Sequence, residues 1–180
     1  TGMYSQLHTR IERLLQHVWE VVQPTLCDDA PEGHVPDEMD EMPDISTKDI
    51  LSYCWRALKE ASLLMGTMLS SASLKACESP AEFKHSMFEL CFTQLAMLRH
   101  RGAFSTVART WTTCCSLMED NQGGPLGLST WYDRTISLLR RSLAINTRRS
   151  AGLPSLICGV LIADRTGELF KRAFAETEQI

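Results

Sequence analysis

No stretch of this 180-residue chain approaches the roughly 18–20 apolar residues that a membrane span needs. The longest run, LICGVLIA at 156–163, has the length of a buried helix. The opening TGMYSQLHTR lacks the apolar core of a secretory signal. There is no CxxC pair and no Cys/His spacing of a metal site, although seven cysteines are scattered at 27, 54, 77, 91, 114, 115 and 158. That odd count among apolar neighbours argues against a disulfide framework and predicts reduced, buried thiols in a cytosolic or nuclear protein. We therefore expect cytoplasmic localisation. Also missing are GxGxxG, a P-loop, HExxH and GxSxG, so the familiar nucleotide, zinc-protease and serine-hydrolase chemistries have no motif here. The glycines at 123, 124 and 127 follow a helical pattern rather than a strand and read as a turn.

Basic charge is absent from one long stretch. Residues 25–45 carry eight acids (Asp28, Asp29, Glu32, Asp37, Glu38, Asp40, Glu41 and Asp44) and three prolines, with no Lys or Arg. Such a segment cannot bury enough apolar surface to offset the entropy of ordering, and it reads as a mobile acidic loop. A sharper reading is an acidic strap over basic surface. The net charge of −4 hides this asymmetry: residues 1–90 hold 7 basic against 15 acidic residues, whereas 91–180 hold 11 against 7.

What is present is helical periodicity. Leu7, Ile11, Leu14, Leu15, Val18 and Val22 mark a first helix that Pro24 is expected to end. STKD, with Ser46 as N-cap, opens a second helix carrying Leu51, Cys54, Trp55, Leu58, Met65 and Leu69. SPAE places Pro80 at the start of a third. Four more follow: Phe104 to Met118, about Ser129 to Ala144, one around Leu156–Leu161, and one with Leu169, Phe170 and Phe174. No alternating stretch suggests a strand. The expectation is an all-α fold of about seven helices, in antiparallel pairs stacked as an armadillo/HEAT-like α-solenoid segment. Its organisation reads as an N-terminal helix at 1–24, the acidic loop at 25–45 and a helical-repeat core at 46–180.

The arginines are the unusual feature. Arg99 and Arg101 flank one helix junction, with His100 and Gly102. Arg140, Arg141, Arg148 and Arg149 crowd another, followed by Ser150, Gly152 and Pro154. Arginine at a helix start is electrostatically disfavoured, so it needs an external or structural partner. If 103–118 and 129–144 form one up-and-down pair, both junctions fall on one edge. Guanidinium groups and helix N-termini suit phosphate there, and the glycines admit close approach of a ligand or of another backbone. The alternative is that these arginines cap carbonyls or pair with acids. Trp55 and Trp111 lie on apolar stripes and read as core. Cys114 and Cys115 point to two faces of one helix and read as a buried structural pair. His85 and His100 show no acidic partner at a spacing that suggests a relay.

YCWRALKEASLLMGTML (53–69), LRHRGAFSTVARTWTTCC (98–115) and NTRRSAGLPSLI (146–157) resemble the signature stretches of the THADA-like family, in order, over about 46–163. The resemblance implies a piece of a long α-helical protein that serves as the non-catalytic subunit of a tRNA ribose 2′-O-methyltransferase acting at anticodon-loop position 32. It implies a separate catalytic subunit that holds S-adenosylmethionine, with no cofactor bound by this chain. The family motifs fall on Arg148 to Pro154, on Arg99 to Gly102, and on Cys54 to Glu60, which brings in Arg56 and Lys59. The implied partners of these residues are the tRNA anticodon stem-loop or the methyltransferase. A rival from another class is a pure protein-interaction scaffold with structural arginines and no RNA contact. A thiol-dependent enzyme is the remaining reading.

Overall fold

A computed structural model describes residues 2–27, 47–71, 80–118, 126–145 and 152–177, and these are the described residues throughout. Seven helices run through them: α1 (Gly2–Leu26), α2 (Thr47–Ser70), α3 (Pro80–Met97), α4 (Arg101–Ser116), α5 (Leu128–Ile145), α6 (Leu153–Ala163) and α7 (Glu168–Thr177). The described residues contain no strand. Acids in the first turns of α2, α3 and α7 favour those starts through the helix dipole. The expected N-cap Ser46, and the acidic loop from residue 28 onward, lie outside the described residues.

The helices form two layers. Each odd helix pairs with the even helix that follows it, α1 with α2, α3 with α4 and α5 with α6, while α2, α4 and α6 pack side by side. Within each layer neighbours run parallel with a repeating register. In the even layer, Ser62 meets Thr110 at a separation of 48 residues, and Trp111 meets Leu156 at a separation of 45. In the odd layer, Glu89 meets Arg134 at a separation of 45. The step from α1 to α3 is longer, 74 residues between Glu12 and Ser86, because the acidic segment lies in the α1–α2 connection. A step near 45 residues is that of an α-solenoid of helix pairs. The stack is therefore α-solenoid-like, but α4 is paired with α3 rather than with α5.

Two details depart from the periodicity reading. Pro24 lies inside α1 instead of ending it. Its ring forfeits a helical hydrogen bond, at about 3 kcal/mol in a helix interior. Burial of Thr25 and Leu26 offsets this, together with two bonds that the Leu26 carbonyl accepts, from the Arg99 N–H at 3.1 Å and the His100 N–H at 3.2 Å. The buried face of α1 is also rotated: His8, Leu15, Trp19, Val22 and Leu26 point inward, and Leu7, Leu14 and Val21 are exposed.

The core centres on aromatics from three helices. Trp111 of α4 and Trp131 of α5 meet edge-on at 5.6 Å between ring centroids, and Phe92 of α3 touches both. Trp111 donates from Nε1 to the Leu156 carbonyl at 3.0 Å. That approach requires Gly159, where a Cβ would lie 2.5 Å from the indole ring.

Candidate functional site

One end of the stack gathers the residues singled out in the sequence. The α1 C-terminus reaches it, held by the Arg99 and His100 amides on Leu26. His100 adopts an extended backbone (φ −69°, ψ 121°) and caps α4, its Nδ1 accepting from the Ala103 N–H at 3.2 Å. A histidine expected to face a ligand is thus half-buried in the helix start. Arg99 is also half-buried. Its charge acts on Cys27, whose thiol burial pushes up to about 11 while Arg99 pulls it part-way down. Arg101 is the first residue of α4.

Both glycines of the expected ligand approach are filled by the chain itself. A Cβ on Gly102 would sit 3.2 Å from the His100 ring and 3.3 Å from Trp55 Nε1. A Cβ on Gly152 would lie 2.0 Å from the Leu95 carbonyl oxygen. Gly152 therefore seats the start of α6 directly on the C-terminal part of α3. This contact brings the start of α6 to the edge where α3 ends and α4 begins, and the α4–α5 pairing on which the expected shared edge rested is not the one formed. Pro154 follows in the first turn of α6 and is exposed. Arg148, Arg149 and Ser150 lie outside the described residues.

Around this edge the basic side chains divide into two groups. Arg56 and Lys59 of α2 and Arg141 of α5 are exposed, with no acidic partner among the described residues. Trp55, beside Arg56, packs its indole on Gly102, and its buried Nε1 has no acceptor there. Arg140 behaves otherwise, pairing with Glu176 of α7 at 3.4 Å.

Two arginines that the sequence reading passed over are more deeply engaged. Arg134 grips Glu89 with both guanidinium nitrogens, one bond at 2.8 Å, and lies 4.3 Å over Trp131 and 4.9 Å over Phe92. Its hydrogen bonds hold the Glu89 carboxyl below its ordinary value. Burial opposes this, and the charges of Arg134 and His85 assist. His85, read as having no acidic partner at a spacing that suggests a relay, meets Glu89 at 3.4 Å one turn on. Arg172 bonds Asp133 at 2.7 Å and Glu176 at 2.9 Å, above the Tyr132 ring. The signal for Arg134 was in the sequence: Trp131 and Arg134 share a helix face, as do His85 and Glu89. Pairing the two faces needs the α3–α5 register.

Three of the described thiols are packing groups, whereas Cys158, expected to be buried, is exposed. Cys91, Cys114 and Cys115 are buried, and burial raises the pKa of Cys91 and Cys115. Trp111 is fully buried. Two open grooves lie elsewhere: about 540 Å³ between α2 and α4, lined by Ser62, Ser70 and Arg109, and about 380 Å³ between α4 and α6, lined by Ser116, Met118, Ile162 and Arg165. Neither contains the edge residues. Among the described residues no group of three metal-ligating side chains comes together, and no helix is long and apolar enough to cross a membrane.

Residues 6–180 match the family described as THADA/TRM732, DUF2428. A Schizosaccharomyces pombe protein named tRNA (32-2′-O)-methyltransferase regulator trm732 is 34% identical over 157 residues, covering 82% of this chain and 10% of its own length. A Gallus gallus protein named tRNA (32-2′-O)-methyltransferase regulator THADA is 24% identical over 181 residues, covering 84% of this chain and 9% of its own. The chain thus spans about a tenth of the length of these curated relatives. No solved structure matches.

Proposed function

Because the chain belongs to the THADA/TRM732, DUF2428 family, we propose that it is a non-catalytic, accessory part of a regulator that helps a separate methyltransferase 2′-O-methylate position 32 in the tRNA anticodon loop. The observation that carries this is the pair of relatives named as regulators of that enzyme. In this reading S-adenosylmethionine belongs to the catalytic partner, and the work is cytoplasmic. The contact face is the edge built by the α3–α4 and α5–α6 junctions, with Arg56, Lys59 and Arg141 exposed and Arg148 and Arg149 in the intervening chain. Guanidinium and ammonium groups on one edge suit tRNA phosphate or an acidic patch on the enzyme.

The test is Arg148→Ala/Arg149→Ala in the full complex. Position-32 methylation should be lost while the helical circular dichroism is kept. Each charge-assisted hydrogen bond removed costs on the order of 1.5–3 kcal/mol, about tenfold or more in affinity. If the arginines meet phosphate, tRNA affinity drops and its salt dependence flattens. If they meet the enzyme, subunit pull-down fails instead. Normal methylation would refute the reading.

A second reading has its own observation. Arg134, Arg140 and Arg172 are all engaged in ion pairs between odd helices. On that basis the chain is a scaffold whose arginines order the stack and touch no RNA.

A further inference from the structure

The outer face of the even layer carries unpaired charge of its own. Arg109 of α4 and Arg165, just beyond α6, are exposed with no acidic partner among the described residues, whereas Arg134, Arg140 and Arg172 of the odd layer are all held in ion pairs. Each lines one of the two open grooves, Arg109 the one between α2 and α4, Arg165 the one between α4 and α6. The grooves adjoin. Thr113 lines the first, Thr112 and Ser116 line the second, and the ridge between them is the exposed stripe Ser105, Arg109, Thr112 and Ser116. No described acid lines either groove, and α4 contains none. The acid next to Arg165, Asp164, commits both carboxylate oxygens to the α6–α7 turn. Neighbouring even helices meet at separations of 45 to 48 residues, so Arg165 lies about ten residues beyond the counterpart of Arg109 on α6. With one helix spacing added, the two positions stand roughly 15–20 Å apart, several phosphate steps along a nucleic-acid strand.

The hydroxyls of this face are already committed as donors. Thr67, Ser70, Thr112, Thr113 and Ser116 each donate to a carbonyl three or four residues back in their own helix, at 2.8 to 3.4 Å. Outward they offer oxygen lone pairs, beside the guanidinium donors. A matching ligand carries anions and hydroxyl donors together along its length, and the backbone of RNA does so, with phosphates for arginine and 2′-hydroxyls for the serine and threonine oxygens. Protein interfaces centre on aromatic anchors, and neither groove is lined by an aromatic side chain. For the same reason there is no ring on which an unpaired base could stack, which favours a duplex over a single strand. We propose that the outer face of the even layer binds the backbone of a base-paired RNA stem without reading its sequence, with Arg109 and Arg165 on phosphates and Thr112, Thr113 and Ser116 accepting from 2′-hydroxyls. This rests on the accessory reading above, in which the complex works on a tRNA, and adds a surface other than the edge of Arg148 and Arg149.

The test uses the full-length protein and a base-paired RNA hairpin of arbitrary sequence, followed by fluorescence anisotropy over a range of salt concentrations. Arg109→Ala/Arg165→Ala should weaken binding about tenfold or more and lower the salt slope by about two, one for each arginine, with the melting temperature unchanged. Arg109→Lys/Arg165→Lys should keep the native slope. Thr112→Val/Thr113→Val should weaken binding of the RNA hairpin about threefold or more and leave that of a DNA hairpin of the same sequence unchanged, because only ribose supplies the 2′-hydroxyl. The edge reading is judged separately, by methylation in the Arg148→Ala/Arg149→Ala variant, so either can fail alone. Native affinity and slope in the Arg109→Ala/Arg165→Ala variant would overturn the proposal. So would a native protein that does not hold the hairpin, or one that holds a single strand as tightly. A threonine variant that weakens RNA and DNA alike, or neither, would overturn the ribose contact. An arginine variant that holds the hairpin normally but no longer retains the methyltransferase in pull-down would make this face a protein interface and overturn the proposal as well.

Discussion

Glycine contacts separate structure from function at the level of single residues. Gly152 has no room for a methyl group: the obstacle is the Leu95 carbonyl, which is backbone and cannot turn aside. Gly152→Ala should therefore force α6 off α3 and cost about 1–3 kcal/mol or more, read by urea unfolding. Gly159→Ala should cost a similar amount and break the Trp111–Leu156 hydrogen bond, seen as a shift in tryptophan fluorescence. Gly102→Ala should be milder, since its neighbours are ring edges at 3.2 and 3.3 Å and alanine gains helix propensity. The sequence marked Gly102 and Gly152 as places of close approach, but only the packing says that the approaching group is the chain itself. Glu89 supplies a pH test. Its carboxyl is held low, so its contribution is present above the ordinary glutamate range and is lost as pH falls through its lowered value. Glu89→Gln should cost on the order of 1 kcal/mol near neutrality, discounted for a pair that is 37% exposed, and the difference from the native protein should shrink below about pH 4 in pH-resolved melting curves.

Elements were legible where periodicity and caps agreed. All seven helices were expected, and Pro80 opens α3 as read. The failures have physical causes. Pro24 is a stop signal by local chemistry, but burial of Thr25 and Leu26 outweighs it. The apolar residues of α1 and α7 outnumber the positions either helix can bury in this chain, so Leu7, Leu14, Phe170 and Phe174 looked like core and are exposed. The α6–α7 turn was also unread. Asp164 accepts from the Thr166 and Gly167 amides at 3.0 and 3.1 Å with one oxygen and from the Leu169 amide at 2.7 Å with the other. Gly167 supplies the left-handed φ of 72°. Burial would raise the Asp164 pKa, but the hydrogen bond from the Thr166 hydroxyl at 2.6 Å, with those from the Leu169 and Thr166 amides, wins and lowers it. Asp164→Ala should fray α7 at a cost of about 1 kcal/mol, seen as faster amide exchange over 168–177 with α4 unchanged.

Across the whole molecule, arginines do two jobs, and the stack decides which. Arg134 and Arg172 lie on aromatic faces between odd helices and belong to the packing of the array. Arg56, beside the Trp55 that packs on Gly102, and Arg141 near the C-terminus of α5 stand exposed toward the end where α1, α3 and α5 finish and α4 and α6 begin, and Lys59 stands exposed near the middle of α2. No sequence pattern could sort the two groups, because the sorting depends on which helices are neighbours at a step of 45 residues. The distinction yields a paired experiment. Arg134→Ala leaves Glu89 with His85 alone and uncovers Trp131 and Phe92, so the melting temperature should drop by several degrees, as expected for a loss of about 1–2 kcal/mol in a chain of this size. The triple variant Arg56→Ala/Lys59→Ala/Arg141→Ala removes only exposed side chains and should change stability by about 0.5 kcal/mol or less per site. If the edge meets tRNA, that triple variant binds more weakly, and its salt slope falls by about one for each phosphate that the edge no longer neutralises. Arg134→Ala, measured below its melting temperature, should keep the native slope. A triple variant with unchanged tRNA binding, unchanged pull-down of the methyltransferase and unchanged methylation would remove these three residues from the working surface and leave the scaffold reading in place.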